Sequence, residues 1–351
     1  MGHEIDTSTG DAAFTEIGDR LTAWHQHGNF MRPEDLIGLP AKAKIIKVAD
    51  AAILNWTVDP FDIFDGGGRL IKGWKEFLRS DTDFRMGIFP ETYTILQNME
   101  MLMLVEPLLE QGMIEFETAG SLRSGRDVWA LFRFNSSDPV VQEYFAEEKI
   151  IPYQLLTNNH AYETLLAFLE TMVKVVCKNT LGMAMNAMGG NSKKRKAGRY
   201  PGGILLRHTK NVKSLSVEGV TELWGQMTER YAAVKNSYEA MKQRFLTEEE
   251  FAENVLDLIA PLPEDHESPM YPSTLERASF KREVVTELWN GAGLGIEGDH
   301  SAYEAYQATA EALDHYDDVF PTRVDRLQAI YRGGSLADKK QDVLNALTTL
   351  T

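Results

Sequence analysis

Nine apolar residues between Val217 and Phe245 recur at alternating gaps of three and four: Val217, Val220, Trp224, Met227, Tyr231, Val234, Tyr238, Met241 and Phe245. That spacing lines one face of an α-helix and suits no strand. The stripe spans roughly 45 Å at the helical rise. Its seven-residue repeat asks for a second helix against it, from this chain or a neighbouring one. Thr247 with Glu250 forms a capping box, so another helix is expected from Thr247 to about Ile259. Residues 261–272 form a loop rich in proline and acids, and 275–351 continue as helices broken at 291–298, at Pro321 and at Gly333-Gly334.

The middle of the chain has a different period. Residues 113–120 and 127–134 alternate in the manner of strands around a Ser124-Gly125 turn, which predicts an antiparallel hairpin. Ile114, Phe116 and Thr118 share one face of the first run. Val128, Ala130, Phe132 and Phe134 share one face of the second, with Trp129, Leu131 and Arg133 on the other. Residues 153–159 and 165–176 predict a second strand pair around Asn158-Asn159-His160-Ala161-Tyr162-Glu163. Upstream, 85–96 is strand-like and broken by Pro90. Residues 96–110 carry Leu96, Met99 and Met103 at helical spacing until Pro107 interrupts them, and Gly112 is a stop. Residues 177–188 predict a helix, 189–203 a loop and 204–208 a short strand.

The first forty residues are irregular to weakly helical, with a short helix opened by Arg32-Pro33-Glu34-Asp35. His25 and His27 in AWHQHG would share one face of a strand and could serve a metal. No cysteine or carboxylate pattern accompanies them, so a Trp-anchored turn is the better expectation. Residues 43–58 are apolar and ambiguous. Asp65-Gly66-Gly67-Gly68 is a turn without the Gly-Lys-Ser/Thr ending of a phosphate loop. Strands followed by helices predict an α+β fold: central antiparallel β-hairpins with packed helices, then a mostly helical C-terminal part with one long helix. Three segments are expected: 1–80, an α+β core with a basic loop at 81–213, and a helical region at 214–351.

Charge is distributed unevenly. Between Glu170 and Glu218 there is no Asp or Glu, while Lys174, Lys178, Lys193, Lys194, Arg195, Lys196, Arg199, Arg207, Lys210 and Lys213 all fall there. The chain is at −16 overall, so the residues outside this interval carry −26. An acidic total argues against charge-driven binding of nucleic acid over the whole surface and leaves room for a local basic groove. The only cysteine, Cys177, excludes an intramolecular disulfide and any multi-cysteine zinc site. No apolar run reaches the length of a membrane span, and the polar, acidic N-terminus lacks the pattern of a secretory signal, so a cytoplasmic protein without a membrane association is expected.

Several segments together resemble the phage/plasmid-like protein family, a domain-of-unknown-function family of bacteriophages and other mobile elements. They are MGHEIDT at the start, AWHQHG, the Tyr93–Glu100 segment with Gln97-Asn98, Glu117–Leu122 and Gly125–Ala130 in the hairpin, Val175–Leu181, Arg207-His208-Thr209, and Lys339-Lys340. The resemblance covers almost the whole chain. AWHQHG lacks the family's preceding proline and has Gln26-His27 in place of a glycine and an apolar residue. After Asn159-His160 the family has an acid, a glycine and a small hydroxyl residue, where this chain has Ala161-Tyr162-Glu163. The resemblance implies a bacterial mobile-element setting and supplies no reaction. The hairpins-plus-helix layout is also similar to that of Redβ/RecT-type single-strand annealing proteins.

Three classes of function compete. A single-stranded DNA-binding or annealing protein would hold the backbone with Lys174, Lys178, Lys193, Lys194, Arg195, Lys196, Arg199, Arg207, His208 and Lys210, and would stack bases on tyrosines such as Tyr153, Tyr162 and Tyr200. It needs no catalysis, cofactor or metal, and a homo-oligomer is expected. The alternative is an oligomeric structural or protein-interaction factor, in which the basic segment pairs with acidic protein surface and the long helix supplies an interface. An enzyme would need Cys177 with His160 or His208, or a metal on Glu115 and Glu117. Cys177 stands among apolar residues, and carboxylates alternating with apolar residues are ordinary in a half-exposed strand, so no enzyme is expected.

Overall fold

The computed structural model describes residues 36–135, 139–148, 150–161, 166–174, 179–181, 198–200, 203–206, 217–316, 318–321 and 335–351. Among them no helix is long and apolar enough to cross a membrane. The elements are α1 (Ala41–Ala51), β1 (Val58–Phe64), β2 (Leu70–Arg79), β3 (Arg85–Pro90), α2 (Asn98–Met103), α3 (Glu106–Glu110), β4 (Ile114–Leu122), β5 (Asp127–Phe134), α4 (Pro139–Glu147), β6 (Ile150–Asn159), β7 (Leu166–Lys174), β8 (Asn179–Leu181), β9 (Gly198–Tyr200) and β10 (Gly203–Leu206). The helices α5 (Val217–Gln243), α6 (Glu248–Phe251), α7 (Asp257–Ile259), α8 (Tyr271–Glu287), α9 (Ala302–His315) and α10 (Ser335–Thr349) follow. Antiparallel sheets followed by helices make this an α+β protein, as the order of periodicities predicts.

The chain divides into two compact units, each assembled from three separate stretches. The first takes residues 1–137, 153–170 and 196–227. It holds a three-stranded antiparallel meander in the order β1-β2-β3 and most of a larger sheet in the order β4-β5-β6-β7-β10-β9. Asp65 closes the β1–β2 turn by accepting from the amides of Gly67 and Arg69, which hold its carboxyl below the usual carboxylate range. α1 buries Ile45, Val48 and Ala49 at helical spacing. Both faces of β5 are buried, with Arg133 alone partly exposed.

A β-bulge breaks the expected alternation of β4. Phe116 pairs with Phe132, but Thr118 pairs with Leu131, so Glu117 has no opposite number. Glu115 and Glu117 therefore do not form a matched pair on one exposed face: Glu115 is exposed and Glu117 is buried. Pro107 also acts differently from the expectation. It stands in the first turn of α3, where its missing N–H costs nothing, and so opens a second short helix.

The second unit takes residues 138–152, 171–195 and 228–351. β8 pairs with the end of β7, Lys174 opposite Asn179. Residues 179–181 are thus strand where the sequence predicts the start of a helix, and 182–188 lie outside the described residues. In α5 the predicted stripe is buried at Tyr231, Val234, Tyr238 and Met241. Its last member, Phe245, lies beyond the helix end and is exposed. α9 is the centre of this unit, buried from Ala302 to Asp314. Five alanines on it allow close approach, while Tyr303 and Tyr306 meet the ring of Tyr238 at 5.3 and 6.2 Å. α10 packs on α9 and brings Lys340 to Asp314 as a buried ion pair.

The capping box forms as expected: Thr247 Oγ1 accepts from the Glu250 amide, and Glu250 accepts from the Thr247 amide. Two helices widen to π-helical turns, at Ala252–Leu256 and Leu288–Ala292. Between those turns Phe251 stacks on Trp289 at 3.9 Å, and Trp289 stacks on His300 at 4.2 Å. The glycine-rich break at 291–298 is held from α9, whose Glu304 accepts from the Glu297 and Asp299 amides and whose Glu311 accepts from the Leu294 amide.

Candidate nucleic-acid interface

The acid-free interval enters the larger sheet at its far end. β10 pairs with the first half of β7, Gly203 opposite Leu169 and Leu206 opposite Leu166. β9 pairs with β10, Arg199 opposite Ile204 and Tyr200 opposite Gly203. Among the described strands β9 is the edge, so one side of its backbone has no strand against it. Arg199 and Tyr200 are thus placed on a sheet edge, within a stretch the sequence predicts as loop. Lys174 ends β7 in the other unit. Lys178, Lys193, Lys194, Arg195, Lys196, Arg207, His208 and Lys210 lie outside the described residues, as do Cys177, Tyr162, His25 and His27.

Tyr153 is not available for base stacking. It is buried in β6, and its hydroxyl donates to Glu117 at 2.9 Å. Burial, and then the neighbouring carboxylate, push that phenol well above its ordinary range. Arg133 Nη2 donates to the other oxygen of Glu117 at 3.3 Å.

A second polar cluster closes the turn end of the hairpin. Arg123 Nε and Asn159 Nδ2 each donate to Asp127 at 2.5 Å. Asn98 Nδ2 donates to the carbonyls of Leu54 and Trp56 at 3.1 and 3.2 Å. Its Oδ1 then faces His160 Nε2 at 2.8 Å, so that nitrogen carries the proton. Asn158 Nδ2 reaches the Leu96 carbonyl at 2.9 Å. Trp56 is wedged between the His160 ring at 5.4 Å and the Arg79 guanidinium at 4.4 Å. Asn98, Asp127, Asn158, Asn159 and His160 are all within 2% of full burial.

A model of the family described as a domain of unknown function, DUF932, matches residues 85–335. The chain belongs to this family. No curated protein and no solved structure matches the chain. The DUF932 region runs from β3 to the start of α10, and β1 and β2 precede it. Within it, the hairpin and Asn159-His160 segments meet in the closed cluster just described. Asn98, Asp127 and Asn159 spend side-chain hydrogen bonds on the fold, while Asn158 Oδ1 is buried without a hydrogen-bond partner, and the cluster is closed to solvent. His160 is committed to Asn98 and buried, so it is not presented as a base. Among the described residues no group of three or more His, Cys, Asp or Glu is arranged to hold a metal ion.

The sequence reading passed over Asn98, Asp127 and Arg79 as members of that cluster. The available signal was polar residues where strands and helices should be apolar. Asn158-Asn159-His160 shows it directly, three consecutive polar residues at the end of β6 and just past it.

Proposed function

We propose that this DUF932 protein binds single-stranded nucleic acid without catalysis, as a binding or annealing factor of a phage or other mobile element. One observation carries the reading: ten cations and no acid between Glu170 and Glu218, in a chain that is at −26 elsewhere. A segment that excludes carboxylates over such a length is suited to a polyanion, because each retained cation can neutralise a backbone phosphate. The place of Arg199 and Tyr200 on the edge strand β9 supports it, since an edge offers a linear track beside a cation and an aromatic ring.

The test is binding of a fluorescently labelled single-stranded oligonucleotide across a salt series. Binding that weakens steeply with salt, and is lost when Lys193, Lys194, Arg195 and Lys196 are all changed to Gln, is the expected result. Equal affinity of the wild type and the quadruple variant would sink the reading. So would binding indifferent to salt.

A further inference from the structure

A pocket opens where α1, α3 and the first residues of β4 meet. Its volume is about 280 Å³, and Leu36, Ile37, Lys44, Leu109, Glu115 and Phe116 line it. Local chemistry builds the walls. α1 turns Ile45, Val48 and Ala49 into the core, which leaves Lys44 half-buried at the border. α3 buries Leu109, and Gly112, at φ +66°, then reverses the chain into β4. Phe116 is buried and held by the Phe132 ring at 4.7 Å, so one wall is a fixed aromatic face.

Two opposite charges line this apolar space without pairing. Among the described residues neither Lys44 nor Glu115 forms an ion pair, with the other or with any third group. Arg133 stands opposite Glu115 in the ladder but gives its guanidinium to Glu117. Glu115 accepts only from Asn135 Nδ2, at 3.4 Å, and that amide also donates to the Gly112 carbonyl at 2.9 Å. The charges select the occupant. A lone carboxylate would satisfy Lys44 and be repelled by Glu115, and a lone amine the reverse. A molecule that carries both charges on one apolar body meets every group on the wall. Apolar cavities of about 150 Å³ take up benzene, so this volume admits a ring or a branched chain together with its polar head.

We propose that the pocket binds a free α-amino acid with a large apolar side chain. Its carboxylate meets Lys44, its ammonium meets Glu115, and its side chain lies against Leu36, Leu109 and Phe116. Lys44 precedes the DUF932 match and Glu115 lies inside it, so the site joins the family region to the segment before it. None of these residues falls in the acid-free interval, so the site is independent of nucleic-acid binding.

Isothermal titration calorimetry on the full chain without nucleic acid tests it. L-phenylalanine and L-leucine are expected to bind saturably at one site. Phenethylamine and 3-phenylpropionate each lack one charge, and glycine lacks the apolar body, so each is expected to bind about tenfold more weakly or worse. Lys44→Met, with an unchanged melting temperature, is expected to bind L-phenylalanine no better than phenethylamine, because the group that reads the carboxylate is gone. Glu115→Gln is expected to bind it no better than 3-phenylpropionate. A wild type that binds neither amino acid saturably overturns the proposal. So does one that binds phenethylamine or 3-phenylpropionate as tightly as L-phenylalanine, and so does wild-type affinity in both variants.

Discussion

The hydroxyl of Tyr153 donates to Glu117, and Glu117 is the residue that the β4 bulge leaves without a cross-strand partner. The two facts are connected. A carboxylate expelled from the ladder turns into the sheet's own face, and β6 meets it with a phenol. Tyr153→Phe removes that donor from a buried charged acceptor and should cost about 1.5–3 kcal/mol, the range for hydrogen bonds to charged groups. Urea unfolding of Tyr153→Phe, Glu117→Leu and the double variant checks it. The two changes should be non-additive, because each removes the same bond.

Gly125 is held at φ +89°, in the turn between β4 and β5, and a Cβ added there would lie 2.8 Å from the Trp56 ring. Gly125→Ala therefore combines backbone strain with a collision against an aromatic ring that Arg79 and His160 hold on its other sides. A loss of about 2–4 kcal/mol is expected. A thermal melt reads it, and near-ultraviolet circular dichroism should report a displaced tryptophan.

Glu311 gives a pH prediction. Burial holds its carboxyl above the usual carboxylate range, opposed by the amide of Leu294 that it accepts. A raised folded pKa means that the native state keeps its proton where the unfolded chain has lost it. The contribution to stability is then complete below the ordinary carboxylate pKa and is lost as pH rises through the raised one. Glu311→Gln keeps an acceptor for Leu294 and cannot ionise. It should match or exceed wild-type stability at neutral pH and flatten the stability profile across the mildly acidic range. A wild-type profile that is unaltered by Glu311→Gln would contradict this.

For the basic segment the salt series has a quantitative reading. Each phosphate neutralised contributes about 0.7 to the slope of log affinity against log salt for single strands. Neutralising Lys193, Lys194, Arg195 and Lys196 together should therefore flatten the slope by roughly 3 if all four meet phosphates. A weaker affinity with the original slope would mean that the four act through folding or through another surface.

The parts legible in the sequence were those carried by a local period. The stripe of α5, the β4–β5 hairpin, β3 and the capping box at Thr247 each declare themselves within their own residues. What stayed hidden depends on partners far along the chain. β8 and β9 are three residues each, too short for a period, and are strands only because β7 and β10 supply their ladders. The bulge at Glu117 was invisible for a related reason: one extra residue shifts the face of everything after it, and only the partner strand shows the slip. The closed polar cluster draws Asn98, Asp127 and His160 from three separate segments, so spacing alone could not assemble it.

Lys340 of α10 is buried against Asp314 of α9, and its neighbour Lys339 donates to the carbonyl of Ile259 at 2.5 Å. Val343 and Leu347 of the same helix are fully buried. α10 follows α9 in the chain, so α9 lacks one of its walls until residues 335–349 have been synthesised. This unit cannot close its core before then, and a nascent chain paused before Lys340 should be the species that chaperones and proteases find.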